Sequence, residues 1–528
     1  MRCRLAIGIL GLMLSLGPVA VSPSHAAELR WSAPLDAYTL DPHSVNNTFI
    51  LSFLGNVYEP LVRRGADLAL EPSLAESWEQ TDDTNWRFKL RRNVKFHDGS
   101  TFDAKDVVFS FKRAQPSGVK NMLSTVQDVV AVDDFTVDFK TKGVDPILPQ
   151  EITGWYVMDE EWATKNNTAA AAAPDNKGSN YATLNTNGTG PFRVAVREPE
   201  QRTVLERNAT WWDKATHNVD KATFRPIASP ATRVAALLSG ELDMIESVPP
   251  QDAKRVEDTK GLRLIAGPDL RVIYFQLDTA RDELLHSDVK GKNPFKDPRV
   301  RQAMQMAIDS NVIHSRVMRG FSVPTGTLVA REVDGFDAAL GTPIAYDPEK
   351  AKALIAEAGY PGGFGVTLDC TSDRFVMDEP ICNGISGFLS RVGIKVENRT
   401  QPVSKWAQQI NPPGYNTSFV MVGYTPATYD AHNVLQTIVG SRDPASGRGI
   451  FNIGGYSDPK VDDLIGRIQV ERDVQKRRSM IKEALETAVG SGAYIPLHQQ
   501  KILWGVKDGV EVTQVADSSF PLRLVRMK

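Results

Sequence analysis

The segment over residues 86–111 constrains the fold of this chain more than any other stretch. Apolar and basic residues alternate over 86–91, which predicts a strand with one apolar face. The pair Asp98-Gly99 predicts a turn. Asp103 then stands where it can cap a helix whose apolar residues share one face. Physical reasoning on this segment therefore predicts a strand, a turn and a helix, and no function.

The chain length predicts at least two folding units. The chain has 528 residues, and single hydrophobic cores stop growing at about 250–300 residues. The formal net charge of −3 is small for this length and gives no support to a nucleic-acid-binding protein. We expect no nucleic acid among its partners.

The N-terminus has the pattern of a secretory signal peptide. Arg2 and Arg4 precede an apolar run over 5–17, and Ser24-His25-Ala26 supplies small residues at the −3 and −1 positions of a cleavage site. The alternative is a membrane anchor, but spanning a bilayer takes about 20 apolar residues, and this run is shorter. We therefore expect residues 1–26 to be removed and the mature protein to be periplasmic and soluble.

The second half of the chain predicts alternating helices and strands. Asp297-Pro298 and Asp347-Pro348 each begin an amphipathic helical pattern. Apolar strand patterns follow near 366–368, 394–396 and 419–422. This order indicates an α/β unit, whereas the first half is richer in alternating strands and is predicted as mixed α and β.

Short motifs along nearly the whole mature chain resemble the family 5 extracellular solute-binding proteins, the receptors of peptide, opine and nickel ABC importers. The segment 86–111 closely resembles the signature of that family. The other matching motifs lie in family order at 40–43, 57–62, 72–78, 188–192, 208–212, 239–243, 295–301, 357–361, 455–459 and 495–497.

The resemblance implies an α/β fold of the two-lobe periplasmic binding protein type (cluster C), with a hinge between the lobes. Lobe 1 is then residues 27–280 plus 490–528, with an extra subdomain near 63–182, and lobe 2 is residues 281–489. The implied function is to capture a peptide- or opine-sized solute between the lobes and deliver it to an inner-membrane ABC permease. The resemblance implies a monomer without a cofactor or a metal.

The loop at 423–427 departs from the pattern of the peptide-binding relatives. In those relatives an aromatic residue after a buried lobe 2 strand leads to an aspartate that pairs with the peptide α-ammonium. Here Tyr424 replaces the usual Trp, Thr425 follows it, and Ala427 replaces the aspartate. A buried ammonium needs an anionic or strongly accepting partner. Asp430, three residues on, either substitutes for it or serves as a turn or helix-cap residue.

Four further residues are candidate ligand contacts by the same resemblance. Arg374 matches an arginine that clamps the peptide carboxylate in some dipeptide-binding relatives, or it forms a surface ion pair with a neighbouring acid. Trp406 matches an aromatic residue of the family pocket, or it is ordinary core. Asn46 and Asn47 lie in a loop that faces the cleft in relatives, or in a plain turn.

Two cysteines remain in the predicted mature chain, Cys370 and Cys382. In an oxidising compartment they can pair and close a short loop. The alternative is two buried thiols. Their number and spacing predict neither a disulfide scaffold nor a zinc site.

The sequence offers little support for an enzyme. It contains no H-E-x-x-H, G-x-S-x-G or P-loop motif, and its histidines are dispersed. We therefore predict a binding protein. The alternatives left open are a receptor for a non-peptide solute, a sensory binding protein that docks on a chemoreceptor, and a periplasmic hydrolase on the same scaffold.

Overall fold

The computed structural model describes residues 27–173 and 179–528, and the predicted signal peptide lies outside the described residues. The strands are β1 Glu28–Ser32, β2 Val62–Arg64, β3 Leu70–Pro72, β4 Ala75–Asp82, β5 Asn85–Leu90, β6 Val126–Asp133, β7 Thr136–Thr141, β8 Phe192–Glu198, β9 Arg202–Arg207, β10 Lys221–Phe224, β11 Met244–Ile245, β12 Leu262–Leu277, β13 Ser322–Pro324, β14 Phe364–Thr371, β15 Ile394–Gln401, β16 Phe419–Tyr424, β17 Tyr494–Lys507, β18 Val510–Glu511 and β19 Arg526–Met527.

The helices alternate with strands in the second half of the chain. They are α1 Thr48–Leu54, α2 Ala104–Ala114, α3 Leu148–Glu151, α4 Glu160–Lys165, α5 Pro230–Leu238, α6 Ala253–Glu257, α7 Pro298–Met306, α8 Ser310–Val312, α9 Pro348–Glu357, α10 Asp378–Arg391, α11 Val403–Ile410, α12 Ala431–Val434, α13 Pro459–Val470 and α14 Val474–Gly490. None of the helices in the described part of the chain is both long enough and apolar enough to cross a bilayer.

The local structure predicted from the sequence is confirmed at several places. The segment 86–111 forms β5, a turn with Gly99 at φ +97°, and α2. Asp103 caps α2 with its side chain, and Asp297 and Asp347 do the same for α7 and α9. Each carboxylate accepts a backbone N–H that would otherwise lack a partner in the first helical turn.

One sheet runs through both halves of the chain. Its strand order is β15-β14-β16-β12-β17-β11-β1-β10-β9-β8, and β13 also pairs with β17. The pairs β1–β10, β1–β11, β14–β15 and β14–β16 are parallel. A separate sheet of four strands has the order β4-β5-β7-β6.

The two long strands β12 and β17 join the halves of the large sheet. Residues 498–500 of β17 pair with β13, whereas residues 505–506 pair with β11. In the middle of the β12–β17 ladder, Pro268 pairs with Lys501 and Val272 pairs with Gln499. Three residues of β12, 269–271, are therefore opposite the single residue Gln500 of β17. This bulge interrupts the ladder where the strands pass from one half to the other.

Separate hydrophobic clusters fill the two halves and the four-stranded sheet. The largest cluster includes residues of 270–277 and 494–497 together with the buried residues of β14, β16, α10 and α14. A second cluster packs on β1 and β10, a third lies within the four-stranded sheet and α2, and a fourth surrounds α5. Leu68, in the turn between β2 and β3, packs into the largest cluster. The first half therefore reaches into the core of the second.

Candidate ligand-binding site

Asn433 of α12 holds the loop that follows β16 by hydrogen bonds to its side-chain oxygen. The Tyr424 hydroxyl donates to Asn433 Oδ1 at 2.8 Å, and the backbone N–H of Ala427 donates to the same oxygen at 3.1 Å. Thr437 donates to the Tyr424 hydroxyl oxygen at 3.1 Å. Ala427 is exposed and contributes no charge, so the loop has a fixed backbone but no anion at this position.

Two hydroxyl groups of the same loop lack partners. Thr425 Oγ1 and Thr428 Oγ1 are buried, and neither has a hydrogen-bond partner among the described residues. An orphaned buried polar group costs about 1–3 kcal/mol. A polar ligand, or water in its absence, would satisfy both. Thr428 was not predicted as a ligand contact, because a threonine in a loop has no sequence pattern that distinguishes a binding role.

The Trp406 ring packs edge-on against Phe375, with ring centres 6.2 Å apart. The side chain belongs to the largest hydrophobic cluster and is 7% exposed. Its indole nitrogen is buried without a partner in the described part of the chain. Trp406 is therefore part of the hydrophobic core, and its indole N–H has no acceptor among the described residues.

The Asp430 carboxylate is engaged by protein groups on both oxygens. Its side chain is fully buried and accepts two hydrogen bonds from Arg477, at 2.5 and 2.8 Å. Asp430 also caps α12 by accepting the N–H of His432. An ion pair of this geometry fixes the start of α12, and the structure does not present Asp430 to a ligand.

Arg374 lies in the loop between β14 and α10. Its backbone N–H donates to Asp378 Oδ2 at 3.1 Å, but its guanidinium forms no salt bridge within the described residues. Burial, and then the positive charge of Arg271, lower the pKa of Arg374. Asp373 accepts the N–H of Val403 at 2.7 Å. Arg374 is exposed, the charges of Arg271 and Asp373 act on it in opposite directions, and its guanidinium donors have no carboxylate partner among the described residues.

The disulfide between Cys370 and Cys382 spans the loop that carries Arg374. Cys370 lies in β14 and Cys382 in α10, with Cα atoms 6.7 Å apart. Because the bond ties the strand to the helix on either side, it restricts the positions open to Arg374.

The asparagines of the 44–48 loop have different environments. Asn47 caps α1, and its side-chain oxygen accepts the N–H groups of Phe49 and Ile50 at 3.1 and 3.2 Å. Asn46 is exposed. The oxygen of Asn47 therefore has a local structural role, while Asn46 is accessible.

A group of side chains joins the first half of the chain to the loop after β16. The Arg64 guanidinium lies 4.0 Å from the centre of the Tyr429 ring and donates to the carbonyl of Thr428 at 3.3 Å. The Tyr429 hydroxyl donates to Asp517 Oδ2 at 2.9 Å. The candidate loop is thus held by residues from two distant parts of the sequence, in addition to Asn433 of the adjacent α12.

The site has the chemistry of a binding surface for an acceptor-rich solute. Arg374, Thr425 and Thr428 offer hydrogen-bond donors, and no carboxylate of the loop remains free beside them. Within residues 27–173 and 179–528, no three His, Cys, Asp or Glu side chains gather as a metal site would require.

A family model for the bacterial extracellular solute-binding proteins, family 5, matches residues 69–446. The chain is 26% identical over 474 residues to the glutathione-binding protein GsiB of Escherichia coli K12, covering 88% of this chain and 87% of that protein.

Solved structures share the fold. The periplasmic binding protein DppA from Helicobacter pylori, in complex with the peptide STSA, superposes with a TM-score of 0.75 at 22% identity, over 95% of this chain and 98% of that one. The binding protein AgaA from A. tumefaciens R10, in complex with agropinic acid, gives 0.74 at 22% identity, over 95% and 99%. The fold is therefore the two-lobe α/β fold of periplasmic binding proteins. Because the family match covers more than half of its length, this chain belongs to the bacterial extracellular solute-binding proteins of family 5.

Proposed function

We propose that this protein is the periplasmic substrate-binding component of an ABC importer. It captures a peptide- or opine-sized solute between its lobes and delivers it, chemically unchanged, to an inner-membrane permease. The observation that carries the proposal is the Arg374 guanidinium, which has no ion-pair partner among the described residues. A fork of donors of this kind suits a carboxylate.

The ligand carries an acidic group and lacks a free α-ammonium at the usual place. Arg374 supplies the cation for a carboxylate, whereas Ala427 supplies no anion for an ammonium. Asp430 does not replace it, since Arg477 occupies its carboxylate. A blocked, secondary or differently placed amine satisfies these conditions, as in opines and modified peptides.

The lobes meet at the bulge of β12 and the facing part of β17. The core cluster of the second half already includes residues of 272–277 and 494–497. This packing supports crossing points near 268–272 and 498–503, close to the boundaries of 280 and 490 expected from the sequence. The separate hydrophobic cluster around β4–β7 supports the extra subdomain expected near 63–182. Rotation at two strands is a recognised hinge motion.

The proposal is tested by calorimetry and thermal melting with a panel of three solutes. These are glutathione, agropinic acid and the peptide STSA, which the names of similar proteins mention. We expect the first or second solute to bind at micromolar concentration or better and to raise the melting temperature, because a ligand selects the folded form. STSA, with a free α-ammonium, should bind more weakly. The absence of binding by the whole panel, or turnover of a bound solute, would oppose the proposal.

Export is tested on protein recovered from the periplasm. N-terminal sequencing should begin at Ala27, because Ser24-His25-Ala26 provides the cleavage site. An intact N-terminus in the membrane fraction would favour an anchor. Size-exclusion chromatography with light scattering should show a monomer.

A further inference from the structure

Arg271 lies in the hinge bulge, directly beside the candidate ligand site. It is the last residue of the 269–271 bulge, and the next residue, Val272, pairs with Tyr424 of β16. Thr425, which follows Tyr424, begins the loop, and its hydroxyl group has no partner in the described chain. The bulge that carries Arg271 and the start of this loop therefore adjoin on neighbouring strands.

The Arg374 loop is tied to the same bulge. The side-chain oxygen of Gln500 accepts the N–H of Val376 at 3.4 Å, and its amide nitrogen donates to Asp269 Oδ2 at 3.3 Å. The ring of Phe375, the residue before Val376, packs against the backbone of Gly423, so closely that a Cβ atom on residue 423 would lie less than 3 Å from it. One glutamine thus bridges the segment that carries Arg271 and the segment that carries Arg374.

Neither guanidinium donates a hydrogen bond to a carboxylate of the described residues. Arg271 forms one long ion pair with Asp269, at 3.8 Å, which is beyond hydrogen-bond distance. Arg374 has no salt bridge in the described part of the chain, and both Arg374 and the adjacent Asp373, whose charge raises the pKa of Arg374, are exposed. The positive charge of Arg271 also lowers the pKa of Arg374, as expected for like charges held close together.

We propose that Arg271 and Arg374, together with Thr425, form a double-cation site that selects solutes with two acidic groups. Two guanidiniums offer donors and no acceptor, and the Thr425 hydroxyl group adds a further donor, so an anion is the complementary partner. One carboxylate engages Arg374 and the second engages Arg271. Because Arg271 lies on the hinge, the bound dianion removes a repulsion that opposes closure. This inference deepens the proposed function and rests on it.

The test uses two peptides of nearly equal shape, N-acetyl-alanyl-glutamate with two carboxylates and N-acetyl-alanyl-glutamine with one. Calorimetry is carried out on the wild-type protein, on Arg271→Gln and on Arg316→Gln. Arg316 is exposed on a helical turn and serves as the matched control for the lost charge. We expect the wild type and the control to prefer the glutamate peptide by about tenfold or more. Arg271→Gln should bind both peptides within about threefold of each other.

Two results overturn the inference. One is a preference for the glutamate peptide that survives Arg271→Gln. The other is a wild-type protein without that preference. If neither peptide binds, Arg271→Gln is titrated with a panel solute that does bind, and an affinity equal to that of the wild type also overturns it. Failure of every solute to bind the wild-type protein refutes the proposed function itself, and the inference with it.

Discussion

The guanidinium of Arg64 stacks on the ring of Tyr429, 4.0 Å from its centre, and so joins the first half of the chain to the loop that follows β16. Arg64 also donates to the Thr428 carbonyl. A cation–π contact contributes about 0.5–2 kcal/mol. The contact stabilises the arrangement in which the lobes lie together, without needing a ligand.

We therefore expect Arg64→Gln to shift the free protein towards an open form. Affinity for a panel solute should fall about tenfold, because the competent closed state is less populated. Small-angle scattering should show a larger radius of gyration for the free variant, and saturating solute should reduce it. Arg316→Gln is the control. An unchanged radius and affinity would contradict this role of Arg64.

The buried pair Asp430–Arg477 should matter for stability and not for ligand choice. Removing one charge leaves the other buried and unpaired, so Asp430→Asn should lower the free energy of unfolding by about 3–5 kcal/mol. Urea denaturation measures this loss. The relative affinities for the panel solutes should be unchanged in the folded variant. A stable Asp430→Asn protein with altered ligand preference would place Asp430 in the site instead.

Restoring an anion at residue 427 should improve the binding of ordinary peptides. Ala427→Asp places a carboxylate on an exposed position of the loop whose backbone Asn433 already holds. A desolvated charge pair changes affinity by about 2–5 kcal/mol, so alanyl-alanine should bind at least about tenfold more tightly to the variant by calorimetry. Ala427→Asn is the uncharged control. Nanomolar binding of alanyl-alanine by the wild type would refute the assignment.

The disulfide predicts that periplasmic protein has no free thiol. Mass spectrometry after alkylation should detect neither Cys370 nor Cys382 as a thiol. The two residues are 12 positions apart, and closing a loop of this size stabilises a protein by about 3 kcal/mol in the chain-entropy model. Reduction should lower the melting temperature accordingly and weaken binding through Arg374. Two alkylatable cysteines in freshly exported protein would rule out the bond.

The His498 side chain should make the protein sensitive to acid. It is 1% exposed, and neither ring nitrogen has a partner among the described residues. Burial lowers its pKa to about 3, whereas an unfolded histidine titrates near 6.5. Because the unfolded chain takes up the proton first, this contribution to stability is complete above about pH 6.5 and is lost as the pH falls towards 3.

We expect His498→Leu to remove about 1.4 kcal/mol per pH unit from the slope of stability between about pH 6 and 4. At pH 8 the free energy of unfolding should change by less than about 1.5 kcal/mol, since the volumes are similar. Urea denaturation at several pH values measures both. Parallel curves for the variant and the wild type would show that His498 does not titrate in this way.

Local structure and family membership could be read from the sequence. Asp103, Asp297 and Asp347 cap helices as predicted, because a cap depends on residues within one turn of each other. The motif order also identified family 5, which the match over 69–446 confirms. These features are local or are repeated along the chain, so a single sequence displays them.

Tertiary structure alone decided which candidate side chains are free. In the sequence, Asp430 and Arg374 each had a ligand-binding and a structural alternative. In the structure, Arg477, 47 positions away, forms an ion pair with Asp430, whereas no described acid forms one with Arg374. Arg271 carried no signal in the sequence, because its position in a bulge next to the end of β16 depends on strand register. Charge pairing and orphaned donors depend on contacts between segments that are distant in the sequence, and such contacts are determined by packing and not by neighbouring residues.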